Sequence, residues 1–247
     1  MTAWRDLVDG ATSGLGLVAP ALARHWRAEL DEVERRVTLL ECAAPANSAV
    51  DGLHAFVVLA SARLADAWDP AQLIDAATAV ELAHRASQHH RRVLDTPTMP
   101  AGARCPNARV VLDGDWSITQ AAVLVAEIGP QAYRFLVRGY GSTQVGQLLG
   151  DAEPLALMKA AVDLGVLIAG LPDDAAHSVW AAAVTDRTAA QRPTSLPAAV
   201  VAWAVNAYSS VGTTNARSVA LPDSGPAPID VQSPSRSTTT SPAVGRS

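Results

Sequence analysis

The residues best suited to chemistry crowd one stretch, Glu81-Leu82-Ala83-His84-Arg85-Ala86-Ser87-Gln88-His89-His90-Arg91-Arg92-Val93-Leu94-Asp95. Its imidazoles, at i, i+5 and i+6, do not share one helical face as metal ligands at i, i+4 would, so they read as satisfied or solvent-facing histidines. The adjacent guanidiniums of Arg91 and Arg92 suit a diphosphate, because arginine donates to phosphate oxygens in a bidentate fork. The plainer reading is a solvated helix end, where cations complement the dipole. Arg91 and Asp95 stand at i, i+4 and can pair, in the weaker orientation. Asp95, Asp113 and Asp115 read as caps or loop residues, the last two as acceptors for backbone N–H groups at the start of a following helix. Cys42 and Cys105 are far apart and in no CxxC spacing, so neither a disulfide framework nor a zinc site is expected, only two ordinary thiols in a reducing cytoplasm.

The element that must carry this stretch is helical. Asp69-Pro70 reads as an N-cap followed by proline at the first helical position, and Ala71 to Leu94 contains neither Pro nor Gly. This is the expected central helix. Before it, apolar residues recur at helical spacing from Leu17 to Leu40, and Leu53 to Leu64 is apolar enough for a buried helix. After it, Thr96 to Asn107 holds three prolines and a glycine and is expected to be a loop. Helices are then expected over Trp116–Glu127, Gln131–Leu149 and Pro154–Leu171, with another capped by Pro172-Asp173-Asp174 and ending near Gln191. From about Ser209 onward Ser, Thr, Pro and Gly dominate, which predicts a helical domain over 1–208 and a disordered tail over 209–247.

Composition agrees with this outline. A chain of 247 residues with 49% apolar and 17% charged residues can bury one sizeable core. Alanine leads the apolar set and aromatics are only 4%, so close-packed helices are favoured and the expected fold class is all-α. A net charge of −5 leaves no basic stripe for a nucleic-acid backbone. Met1 to Pro20 lacks the basic and apolar regions of a secretory signal, and no apolar run reaches the ~20 residues of a spanning helix. A cytoplasmic protein that at most touches a membrane surface through a partner is expected.

The stretch from Glu81 to Asp95 resembles a signature of the trans-polyprenyl diphosphate synthases, in which a Leu-His-x-Ala-Ser helix ends in His-Asp-Asp-Val-x-Asp. Leu112-Asp113-Gly114-Asp115-Trp116 is similar to the family's Leu-x-Gly-Asp-Tyr/Phe, and Glu127-Ile128-Gly129 to its Glu-Leu-Gly. Gln144-Val145-Gly146-Gln147-Leu148 falls where family members carry a Glu/Gln-rich turn, and Asp163-Leu164-Gly165 with Ala169-Gly170 matches a Glu-Leu-Gly…Ala-Gly phrase. The resemblance implies an antiparallel isoprenoid-synthase-type helix bundle, here cut short at the C-terminus.

It also implies what should be present and is not. The family stabilises the departing diphosphate with Mg²⁺ held between diphosphate oxygens and two Asp-rich clusters. Here the first cluster reads Arg91, Arg92, Asp95, which moves its formal charge from −3 to +1; at ~4 Å each charge pair is worth about 4 kcal/mol near a protein surface. The second cluster falls on Thr194, Ser195 and Ala198, none a carboxylate. The family's Gly-Gly-Lys-x-x-Arg-Pro loop falls near Ala49 to Ala55, where Asp51, Gly52 and His54 stand without a Lys or Arg. Its Arg-Arg-Gly becomes Pro100-Ala101-Gly102, and its Lys-Thr becomes Glu153-Pro154. The family Mg²⁺ site is therefore expected to be lost, with no cofactor and no catalytic residue. The resemblance implies a noncatalytic or regulatory subunit that pairs with a catalytic prenyl diphosphate synthase. A diverged prenyl-diphosphate-binding protein using Arg91 and Arg92, and a decayed paralogue without activity, stand beside it.

Overall fold

The computed structural model describes residues 19–41, 52–63, 68–93, 106–149, 155–172, 174–178 and 180–181, together with Ala65. All lie within the compact unit Met1–Thr214. They form α1 (Ala19–Leu40), α2 (Leu53–Ala62), α3 (Pro70–Arg91), α4 (Pro106–Ile128), α5 (Pro130–Leu148) and α6 (Leu155–Ile168). No strand occurs among the described residues. The expected all-α bundle is what the chain adopts. Ser195 and its neighbours, the anticipated helix beyond residue 181 and the boundary at 208 lie outside the described residues.

α1 is two-faced. Trp26, Leu30, Val33 and Val37 recur every third or fourth residue and are buried, while Glu32 takes Arg35 and Arg36 on the outer side. The Arg35 hydrogen bond is the chief reason the Glu32 carboxyl is held down to about 2. Two ion pairs tie α1 inward: Arg36 meets Asp75 of α3, and Arg63 at the end of α2 donates to both Glu29 carboxylate oxygens at 2.6 Å. Trp26 meets Phe56 of α2 edge-on, with ring centroids 5.1 Å apart.

α2 is apolar on every side and buried on every side, from His54 to Ala62. α3 starts as its sequence predicts: Pro70 occupies the first turn and the Asp69 carboxylate accepts the Ala71 N–H at 2.9 Å. α3 touches all five other helices. Its buried Ala76, Ala77, Ala79, Ala83 and Ala86 carry only a methyl, which lets neighbours approach on several sides at once. Two glycines set the closest crossings. A Cβ on Gly139 of α5 would lie 2.5 Å from the Ala160 Cβ of α6, and one on Gly165 of α6 would lie 2.5 Å from the Val58 carbonyl of α2.

One boundary differs from expectation. α4 opens at Pro106, ten residues before Trp116, because proline at the first helical position needs no N–H partner and its φ is already helical. Asp113 and Asp115 therefore sit in the helix interior rather than at its start, and neither is a cap. Gly114 is tolerated between them because the His90 ring fills its side-chain space: a Cβ there would be 2.4 Å from His90 Nε2.

Candidate functional site

The second half of α3 brings the chemistry-bearing residues of the sequence to several different neighbours. Glu81, fully buried, accepts the Gly52 N–H at 3.3 Å, and Gly52 enters α2 at φ 67°, a left-handed conformation that favours glycine. One turn on, His84 stacks on His54 with centroids 4.2 Å apart and planes 29° from parallel. Burial pushes the His54 imidazole well below its ordinary pKa, and the neighbouring His84 adds to the effect. Its Nδ1 has no hydrogen-bond partner. His54 is thus a neutral ring inside the bundle.

Arg85 is nearly buried and forms an ion pair with Glu41 just past the end of α1. Ser87 accepts a 2.6 Å hydrogen bond from the Gln147 side chain of α5. His89 is buried and burial lowers its pKa, with the Asp113 carboxylate acting in the opposite sense.

His90 joins three helices. Its Nδ1 lies 2.9 Å from the Tyr140 hydroxyl of α5 and its Nε2 lies 3.3 Å from an Asp115 oxygen of α4. An Nε2–H facing the carboxylate leaves Nδ1 as the acceptor for the phenol. Burial, with the Asp115 charge second, pushes the Tyr140 pKa up to about 12, which keeps that phenol protonated and donating. The tautomer is therefore set by its two partners.

Arg91 and Arg92 follow at once and are exposed. Arg91 is the last residue of α3 and Arg92 its C-cap, with the Arg92 backbone N–H donating to the His89 carbonyl at 2.9 Å. Among the described residues neither guanidinium has an ion-pair partner. Two fixed cations thus stand in solvent at the negative end of the helix dipole, where they are favourably placed. Asp95, their proposed companion, and Thr194, Ser195 and Ala198 lie outside the described residues.

This donor set does not fit Mg²⁺. The ion requires oxygen ligands in near-octahedral geometry, whereas the described part of the first cluster offers two guanidiniums. Among the described residues no three His, Cys, Asp or Glu side chains converge on a point. Asp113 is engaged by Arg109 at 3.5 Å and Asp163 by Lys159 at 2.7 Å, both within their own helices.

The partners of His84 and His90 diverge, the first toward α2 and the second between α4 and α5. The residues whose roles the sequence did not reveal are His54, Tyr140 and Glu41. Each acquires its role only from a contact across helices, 30 to 50 positions away in the chain, and carries no local signal.

No family model matches the chain. A segment of 98 residues, 38% of this chain, is 32% identical to the nonaprenyl diphosphate synthase of Mycobacterium tuberculosis and covers 29% of that relative's length. In fold the chain resembles the crystal structure of a decaprenyl diphosphate synthase from Rhodobacter capsulatus, with a TM-score of 0.53 at 18% identity, over 80% of this chain and 86% of that one.

Proposed function

We propose, from its similarity to a nonaprenyl diphosphate synthase over 98 residues and the fold it shares with a decaprenyl diphosphate synthase, that this chain is a noncatalytic, regulatory subunit of a heteromeric prenyl diphosphate synthase of the trans-polyprenyl type. The observation that carries the reading is the pair Arg91 and Arg92, exposed at the end of α3 where the family's signature has two aspartates. Catalysis in that family depends on metal ions that stabilise a departing diphosphate. Two guanidiniums repel such ions and supply no ligand to them.

What supports a subunit role is the contrast between a retained bundle and an altered cluster. The buried Glu81, Arg85 and Ser87 each hold a neighbouring segment, while the described residues of the cluster are the guanidiniums of Arg91 and Arg92. A folded scaffold of this kind can still shape a partner across a helix interface, setting its stability or the length of its product.

Co-expression with a catalytic prenyl diphosphate synthase tests the proposal. Co-purification together with a changed activity or product length is the expected result. A monodisperse monomer that leaves the synthase's activity and products unchanged sinks it.

A second reading is favoured by the same exposed arginines, namely that they hold a prenyl diphosphate directly. Titration of farnesyl diphosphate against the wild type and Arg91→Ala separates the two, since binding that is equal and weak in both removes the diphosphate reading.

A further inference from the structure

Among the described residues the large apolar side chains most open to water are Leu148, Leu149, Leu39 and Leu112, exposed by 87%, 78%, 69% and 66%. The course of the helices brings all of them to one end of the bundle. Gly114 of α4 lies against the His90 ring near the end of α3, and α3 and α4 share the most extensive contact of any helix pair. From Gly114 onward α4 must therefore run back along α3. Gly129 alone separates α4 from α5, so α5 reverses again and finishes at the end where α3 finishes. The Gln147 hydrogen bond to Ser87 agrees, since Leu148 follows Gln147 directly and Ser87 stands one turn before Arg91. α1 ends there too: the Leu40 carbonyl accepts the Trp116 Nε1–H at 2.7 Å, and Leu112 stands one turn before Trp116 on the same face of α4.

The charge at this end is basic. Arg91 and Arg92 are exposed and have no ion-pair partner among the described residues, whereas Arg109 is offset by Asp113 and His90 faces Asp115. The whole chain carries a net charge of −5, so a cationic, leucine-tipped end stands on an acidic molecule. Such an end matches a lipid surface, where apolar side chains enter between the headgroups and arginine keeps its charge at headgroup level. Among the described residues no helix is long and apolar enough to cross a membrane, so the contact is with the surface.

We propose that this end of the bundle docks on an anionic phospholipid surface, with Leu148 and Leu149 entering the headgroup layer and Arg91 and Arg92 meeting lipid phosphates. Anionic headgroups select a basic face, and repulsion of the acidic remainder keeps that face turned to the lipid. The exposed leucines belong to three separate helices rather than one seam, which suits a fluid surface; a partner helix needs a continuous groove. The docking stands independently of the subunit role proposed above.

Flotation of the full chain with vesicles reads the proposal, using phosphatidylcholine alone or mixed equally with phosphatidylglycerol. The chain is expected to float with the mixed vesicles at least about tenfold better, because each arginine near an anionic surface contributes a factor of about five. Raising the salt from 0.1 to 1 M shortens the screening length from about 10 to about 3 Å and should remove most of that preference. Leu148→Ser with Leu149→Ser should lower binding to the mixed vesicles at least about tenfold. Arg91→Glu with Arg92→Glu should abolish the preference for phosphatidylglycerol, while Arg134→Glu, near the start of α5 at the opposite end, should leave it unchanged. If far-UV circular dichroism shows that the serine variant does not fold, the arginine variants and the salt series decide alone.

A wild type that floats with neither vesicle, or one whose flotation ignores both double substitutions, overturns the proposal. Leucine substitutions that abolish binding to a catalytic synthase, in a chain that ignores vesicles, assign this end to a protein partner and overturn the lipid docking while the subunit reading stands. Vesicle binding by a chain that binds no synthase does the reverse.

Discussion

At its first turn α3 is held by Asp69 and Pro70 and then runs into a core shared with five other helices, whereas its last turn ends in two exposed arginines. Between these ends, nearly every side chain from Leu73 to Ser87 is buried and several reach a specific partner. The difference separates two kinds of constraint. Packing dictates the inner part of α3, where a change in volume or charge must be absorbed by a crowded bundle. At the end only chemistry would dictate the residues, and there the chain has Arg91 and Arg92 where the signature it resembles has carboxylates.

Substitutions in α3 and at the side chains that meet it should therefore fall in a steep order. The largest effect belongs to Glu41→Ala, which leaves the almost buried Arg85 without the Glu41 carboxylate; breaking a buried pair from one side costs about 3–5 kcal/mol. Urea unfolding measures it, and a loss below about 1 kcal/mol would show that Arg85 is not part of the core constraint.

Next comes acidification. His54 and His89 are both held below their ordinary pKa, chiefly by burial. The unfolded chain thus takes up protons at these rings before the folded one does. Stability from these groups is complete above the ordinary histidine value of 6.5 and is lost as pH falls below it. The thermal midpoint should therefore drop on going from neutral pH into the range just below the histidine value. His54→Leu should flatten much of that slope, and an unchanged slope would mean that another group dominates.

Smaller again is Asp69→Ala, expected to cost about 1 kcal/mol through loss of the N-cap bond to Ala71. Smallest of all, Arg91→Ala and Arg92→Ala should each change stability by less than about 0.5 kcal/mol, as exposed surface substitutions do. A loss as large as that of the cap would erase the contrast between the two ends.

Much of this was legible in the sequence. The helices around Asp69-Pro70 and Gly129-Pro130 followed from local signals, because proline, glycine and capping residues act within one turn of where they stand. Arg91 and Arg92 were visible for the same reason, as the spacing of a single helix places them. What could not be read was any property that arises between helices. Asp115 looked like a cap, yet Pro106 had already started the helix and its carboxylate faces His90. Tyr140 gave no sign of meeting His90 across 50 positions. The neutral state of His54 depends wholly on burial by other elements, which periodicity within α2 alone does not determine.

We propose that the end of α3 does not support metal-assisted departure of diphosphate. Diphosphate release from farnesyl diphosphate by the purified full chain, with Mg²⁺ and an acceptor prenyl diphosphate, tests it most directly. No release above the protein-free background, in the wild type as in Arg91→Ala, is the predicted result; Mg²⁺-dependent turnover by the chain alone would contradict it.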